Sequence, residues 1–174
     1  GSAALVVGRS KGGKGEVRVL ASAMSSGLLW DHRSSEYWGE GPVRRAAQAA
    51  YAQCGVRASE IDVLEVHDSF TIGEILTLEA LGLCKPGEGA SLAPSGHTRR
   101  DGAQPVNPSG GLLSRGHPLG ATGTAQIAEI VWQLRNQAGA HQVPNAKLGL
   151  VETMGGGAAG MEGNAAVVTL LALN

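Results

Sequence analysis

One stretch constrains this chain more than any other: residues Asn107 to Arg135, reading NPSGGLLSRGHPLGATGTAQIAEIVWQLR. Its first half is dense in glycine and proline around a single histidine, His117. Its second half is an Ala-rich apolar run whose only charges are Glu129 and Arg135. An apolar run of this length reads as a buried helix, and the Gly/Pro segment before it as a turn. The pattern predicts a strand end, a tight turn presenting His117, and the N-terminus of a buried helix. Backbone N–H groups at a helix start are unpaired and carry partial positive charge. A histidine held there, with glycines that let a ligand or another backbone come close, suits acyl-group chemistry.

The remaining composition sets outer limits. The 174 residues fit one domain with a real core. Hydrophobic content of 43% with 17% charged residues is that of a globular chain. No apolar run reaches the length of a membrane span. A net charge of −1 leaves no electrostatic footprint for nucleic acid or anionic lipid. Cys54 and Cys84 make neither a disulfide framework nor a metal cluster, so no metal is expected, and a reducing compartment, the cytoplasm, is the default. No signal peptide opens the chain. Glycine concentrates at 108–124 and 155–163, which indicates close backbone packing around a site. The chain opens Gly1-Ser2 with no initiator Met, which leaves room for its being a piece of something larger.

In order, residues 3–8 (AALVVG) and 16–23 (EVRVLASA) read as two strands, with Gly12-Gly13 and Gly15 marking a hairpin between them. A polar, irregular segment at 24–41 carries Trp30, Tyr37 and Trp38. A helix over 43–53 follows Pro42 and closes at Gly55. Residues 61–66 (IDVLEV) form a buried-type strand. A helix follows at once, with Ile72, Ile75, Leu76 and Leu83 on its inner stripe and Glu74 and Glu79 facing away. A long loop covers 86–106. After the helix that ends near 136, strands are expected at 148–152 and 165–173. The fold class is α/β, a mostly buried mixed sheet with helices packed on its faces.

Three turns share one geometry. His67-Asp68-Ser69-Phe70 follows a strand and opens a helix, Gly116-His117-Pro118 opens a helix, and Thr153-Met154-Gly155-Gly156-Gly157 follows a strand. Ligands of open α/β sheets bind outside the carboxyl ends of strands. Acyl transfer, or carbon–carbon bond making on a thioester, needs a nucleophile, a base and donors aimed at the oxyanion. A neutral histidine and bare glycine N–H groups supply the last two. Asp68 or Ser69 also reads as a cap for the helix from Thr71. Neither Cys54 nor Cys84 sits in a turn facing a histidine, and His32, His97 and His141 receive no role.

Taken together, HDSFTIGEILTLEALGLCKPGEG at 67–89 and NPSGGLLSRGHPLGATG at 107–123 resemble the C-terminal half of a thiolase, in particular the sterol-carrier-protein type and its bacterial acetyl-CoA acetyltransferase-like relatives. The resemblance covers nearly all of residues 1–174. It implies the thiolase-like αβαβα layering, of which this chain is the second half, and a nucleophilic cysteine in an N-terminal half that these residues do not contain. It implies that His117 is the base activating that cysteine, that His67 helps to build an oxyanion hole with it, and that Gly155 donates to a second one. Asp68 and Ser69 support that site. Two departures stand out. Thiolases place a second, acid/base cysteine before the glycine turn, where this chain has Thr153, and the sterol-carrier type has it in the His-Asp-Cys-Phe loop, where this chain has Ser69. A hydroxyl is a far poorer acid/base near neutral pH than a thiol.

The resemblance implies a CoA thioester substrate in lipid or sterol metabolism, no covalently bound cofactor, and pairing with the chain's own N-terminal half or a partner subunit, in a homo-oligomer. The 174 residues alone are expected to be inactive. Three readings stand: an acyl-CoA acyltransferase; a thiolase-like lyase, since some relatives cleave steroid side-chain CoA thioesters by retro-aldol chemistry beside a partner with zinc-ribbon and OB-fold domains; and a non-catalytic subunit. The retained His117 counts against the lyase, and the absent second cysteine is consistent with it.

Overall fold

The computed structural model describes residues 1–29, 31–33, 39–156 and 165–174. Trp30, Tyr37 and Trp38 of the irregular segment, and Gly157 of the third turn, lie outside the described residues. Four strands, β1 (Val17–Ser25), β2 (Val63–Glu65), β3 (Leu148–Gly155) and β4 (Ala165–Leu173), form one sheet in the order β1-β4-β3-β2. β4 runs antiparallel to both its neighbours, and β2 runs parallel to β3. The sheet is therefore mixed, as its sequence predicts. Because β2 and β3 are parallel, the loop after Glu65 and the end of β3 leave the sheet at the same end.

Helices cover both faces. α1 (Glu40–Cys54) lies on β1 and β4, with α2 (Thr71–Ala80) packed against it. α5 (Thr122–Leu134) lies on β2 and β3. The two faces hold separate buried clusters. Ala46, Ala47 and Ala50 of α1 meet Ala166, Val168 and Leu170 of β4. Ile130 and Leu134 of α5 meet Val63, Val151 and Leu171. Alternate residues of β4 thus divide between the faces, as a period of two requires. Each buried Leu or Ile contributes about 1.5–3 kcal/mol. The approach of α5 to β3 depends on Gly149, where a Cβ would come within 2.4 Å of Ile130 Cγ2.

Several expectations change. Residues 3–8 form no strand, and all but the half-buried Ala3 lie exposed, Val6 and Val7 almost wholly so. β1 pairs only with β4, and an apolar run with no strand beside it has no ladder to join. The glycines at 12–15 therefore make a turn rather than a hairpin, and the loop folds onto Glu16, whose carboxylate accepts from Ser10 Oγ, Lys11 N and Gly12 N. Along α2 the inner face carries Thr77, Leu78 and Ala80, while Ile72 is exposed. Glu74 and Glu79 do not face away. Both are half-buried, Glu74 accepting from Asn107 Nδ2 (3.4 Å) and Glu79 from the amide of Gly89 (2.9 Å). The long loop holds a short helix, α3 (Gly89–Leu92), and the strand end before Asn107 is a single bridge between Leu64 and Val106. A further short helix, α4 (Gly111–Arg115), precedes His117, so α5 begins at Thr122, one turn later than the Gly-His-Pro motif suggests.

Candidate active site

Hydrogen bonds stitch the Asn107–Gly111 segment along β2. The amide of Asn107 donates to Leu64 O (2.8 Å), and the amide of Val66 donates to Asn107 Oδ1 (2.8 Å). Glu65 is fully buried and accepts from the amide (3.2 Å) and hydroxyl (2.8 Å) of Ser109. Burial pushes its carboxyl up to about 7, against the pull of Ser109 and Arg115. The segment therefore leaves β2 on a fixed course and delivers α4 beside the His67 loop.

That loop is held from two sides. The amide of His67 donates to Glu152 Oε2 on β3 (2.9 Å). Asp68, 2% exposed, accepts at Oδ1 from the amide of Leu112 in α4 (2.7 Å). Asp68 therefore caps α4, not α2, whose N-cap position is Phe70 with no side-chain bond. Gly111 makes this contact possible: its φ is +62°, and a Cβ there would lie 2.0 Å from Asp68 Oδ2. Ser69 is half-buried, and its hydroxyl makes no hydrogen bond among the described residues.

The two histidines meet. Their ring centres are 4.9 Å apart and their planes stand at 89°. Burial, and then His117 beside it, push His67 down to about 4, so it is neutral at pH 7. His117 is half-buried, with Nδ1 2.8 Å from Thr122 Oγ1, which is itself 3.2 Å from Pro118 O. A hydroxyl has one proton. Both contacts are hydrogen bonds only when Thr122 donates to Pro118 and accepts from His117 Nδ1–H. Nε2 of His117 then carries the free lone pair.

The third turn joins the same neighbourhood. Met154 lines a cavity together with His67 and Ser69. Gly155 ends β3 opposite Ala165 and is exposed. Thr153 Oγ donates to Gln126 Oε1 of α5 (2.6 Å), and Gln126 Nε2 donates to Glu152 O (3.1 Å). Glu152 is fully buried, and burial pushes its carboxyl up to about 7. His97 faces Gln104 and His141 faces Glu129 instead. Among the described residues, no group of three His, Cys, Asp or Glu side chains is placed to hold a metal ion.

Residues 30–169 match a family model described as "Thiolase C-terminal domain-like". The chain belongs to this thiolase family. It is 52% identical over 127 residues to "Sterol carrier protein 2" of Oryctolagus cuniculus, covering 73% of this chain and 22% of that one. It is 47% identical over 140 residues to "Acetyl-CoA acetyltransferase" of Methanothermobacter thermautotrophicus, covering 80% and 37%. It is 39% identical over 145 residues to "Benzoylsuccinyl-CoA thiolase subunit BbsB" of Thauera aromatica, covering 83% and 37%. Among solved structures, the "Ltp2-ChsH2(DUF35) aldolase" matches with a TM-score of 0.75 at 27% identity, over 90% of this chain and 39% of that one. The thiolase domain described here thus spans about a fifth to two fifths of the length of these curated relatives.

Within this thiolase domain, sequence reasoning missed Glu152, Gln126, Thr122 and Asn107. A signal existed for the first two. Glu152 closes an apolar strand run and Gln126 sits in an Ala-rich helix, and a polar residue inside an apolar run is a buried group that needs a partner. Among the described residues, no helix is long and apolar enough to cross a membrane.

Proposed function

We propose that this chain is the C-terminal half of a thiolase-type acyltransferase acting on CoA thioesters, completed by a nucleophilic thiol from an N-terminal half or a partner subunit. The contact between His67 and His117, with His117 Nδ1 held by Thr122, carries the reading. His117 Nε2 takes the thiol proton. The thiolate attacks the thioester carbonyl, and the oxyanion is met by an N–H of the neutral His67 ring, with the Gly155 amide serving the second half-reaction. Collapse expels the CoA thiolate, which takes the proton back from His117. General-base and oxyanion contributions of this kind are each about 10²–10⁴-fold.

The open sheet face supports the pairing. Ala21 and Ala23 of β1 point to α1. By alternation Val19, beyond the bulge at Leu20, and Met24 point to the opposite face, where α5 covers β2 and β3; both are more than half exposed. A face of this kind is normally covered.

Ser69 and Thr153 occupy both positions where thiolases carry the second cysteine, and the Thr153 hydroxyl is committed to Gln126. This favours acyl loading and transfer over carbon–carbon condensation. The likeness to an aldolase favours, as a second reading, retro-aldol cleavage of a CoA thioester. Incubating the assembled protein with acyl-CoA and mass-analysing it separates the two. An acylated cysteine that disappears in the His117→Ala variant supports transfer. Cleavage of an aldol-type thioester with no acylated intermediate supports the lyase, and neither activity identifies a non-catalytic subunit.

A further inference from the structure

One cavity plays no part in the mechanism above. It lies between the start of α1, one side of α2 and the end of β3, and has a volume of about 160 Å³. Val43, Phe70, Leu76 and Met154 form its apolar wall, and His67 and Ser69 border it. We propose that this cavity receives the acyl tail of the thioester and selects acyl groups of about six carbons without polar substituents over acetyl and over fused-ring acyl groups. The carbonyl end of the tail is placed by the acyl-transfer reading, on which the proposal rests; the preference for tail length is a binding property and needs no turnover.

Three observations carry it. The first is position: His67, which touches His117, is part of the cavity border, so a carbonyl held beside the two rings has its next carbons at the cavity. The second is size. An apolar cavity of about 150 Å³ lined by Leu, Ile and Phe holds a guest of about six carbons, the size of benzene. A fused-ring system is several times larger, and an acetyl group leaves most of the space unfilled. The third is polarity. Glu40, at the α1 side, is engaged by Arg44, and the polar groups Ser69 and His67 stand together at the carbonyl end. Thr77 is the remaining polar side chain of the lining. A hydroxyl set against the apolar wall, away from Thr77, would be buried without a partner, which is costly.

The test uses the full chain with its methionine methyl groups labelled with ¹³C, titrated with S-acyl-pantetheines from two to ten carbons. Met154 reports from the cavity wall, and Met24, on the far edge strand, is the control. The Met154 signal is expected to shift and saturate while that of Met24 stays in place. Affinity is expected to rise about four-fold per methylene, the transfer value of a buried CH₂, up to about six carbons and then to level or fall. Gly73 lies on the wall, and a Cβ there meets only His67 O, at 3.7 Å. Gly73→Leu should weaken hexanoyl binding at least ten-fold and leave acetyl binding unchanged. If that variant does not fold, Leu76→Ala should move the optimum to longer tails. Equal affinity from two to six carbons, no Met154 shift at the solubility limit of hexanoyl-pantetheine, or unchanged binding in the variant that folds would overturn the proposal. A chain-length optimum near six carbons in a protein that forms no acyl-enzyme would refute the transfer mechanism and leave the cavity assignment standing. Acyl transfer that prefers acetyl would do the reverse.

Discussion

The imidazole of His67 stands edge-on to that of His117, ring centres 4.9 Å apart, and the burial and the neighbour together keep His67 uncharged down to about pH 4. Removing the neighbour removes one of the two causes. In His117→Ala the His67 ring is expected to titrate higher, part of the way back to the ordinary histidine range, as read from its ring C–H signals by NMR against pH. In the assembled protein the same change should lower kcat/KM for thioester exchange by about 10²–10⁴-fold, the range for a lost general base. A His67 titration that does not move would show that burial alone sets its charge.

In the proposed reaction Thr122 acts through His117. Thr122→Val keeps the shape of the side chain and removes the acceptor for Nδ1–H, so the tautomer is no longer fixed. We expect kcat to fall about ten-fold with KM little changed, and Thr122→Ser to restore it. A drop that Ser does not rescue would point to packing at the start of α5 instead.

Glu152 gives stability a definite pH dependence. Its carboxyl sits at about 7 in the fold, because burial disfavours the charge, and near the ordinary glutamate value once unfolded. Between those values the native state holds a proton that the unfolded chain has released, so this contribution is full below about pH 4.3 and is lost as pH rises towards 7. His67 acts in the opposite sense: its folded value is depressed, so its contribution is full above about pH 6.5 and is lost as pH falls towards 4. Glu152→Gln keeps an acceptor for the His67 amide and does not titrate. Urea unfolding should show it more stable than the parent by on the order of 2 kcal/mol at pH 8 and about equal at pH 4. Equal stability at pH 8 would contradict a raised Glu152.

The Gly111–Asp68 contact predicts a coupled pair. Gly111→Ala places a methyl 2.0 Å from a carboxylate oxygen at a positive φ, and should cost about 2–4 kcal/mol. Asp68→Ala loses the cap on α4 and should cost about 1–2 kcal/mol. The double variant should be less destabilised than the sum, because the clash is with the group removed. Additive values in urea titrations would mean that backbone strain at position 111 dominates.

Much of the fold is legible in the sequence where a local pattern decides it. Strand β4 coincides with the apolar run 165–173, α1 follows from Pro42 and Gly55, and the His67 turn lies beside Met154 of the third turn as their strand-end positions imply, with the His117 turn joining them. What fails is what depends on a distant partner. AALVVG has the composition of a strand, but no neighbouring strand pairs with it. Glu74 has the spacing of an outward residue but meets Asn107, 33 positions away. Asp68 has the look of a local cap, yet the amide it accepts from lies 44 positions on. Periodicity reports which face a residue presents; it does not report which element arrives at that face.

The carboxylate of Asp68 also bears on the proposed assembly with a piece that brings the sulfur. One loop holds the first imidazole, the turn after α4 holds the second, and a single bond from the Leu112 amide locks these two segments to each other within this chain. The template is shaped before any thiol arrives. In the proposed assembly, docking therefore forfeits little entropy to ordering these segments, and that association free energy is available for the interface itself.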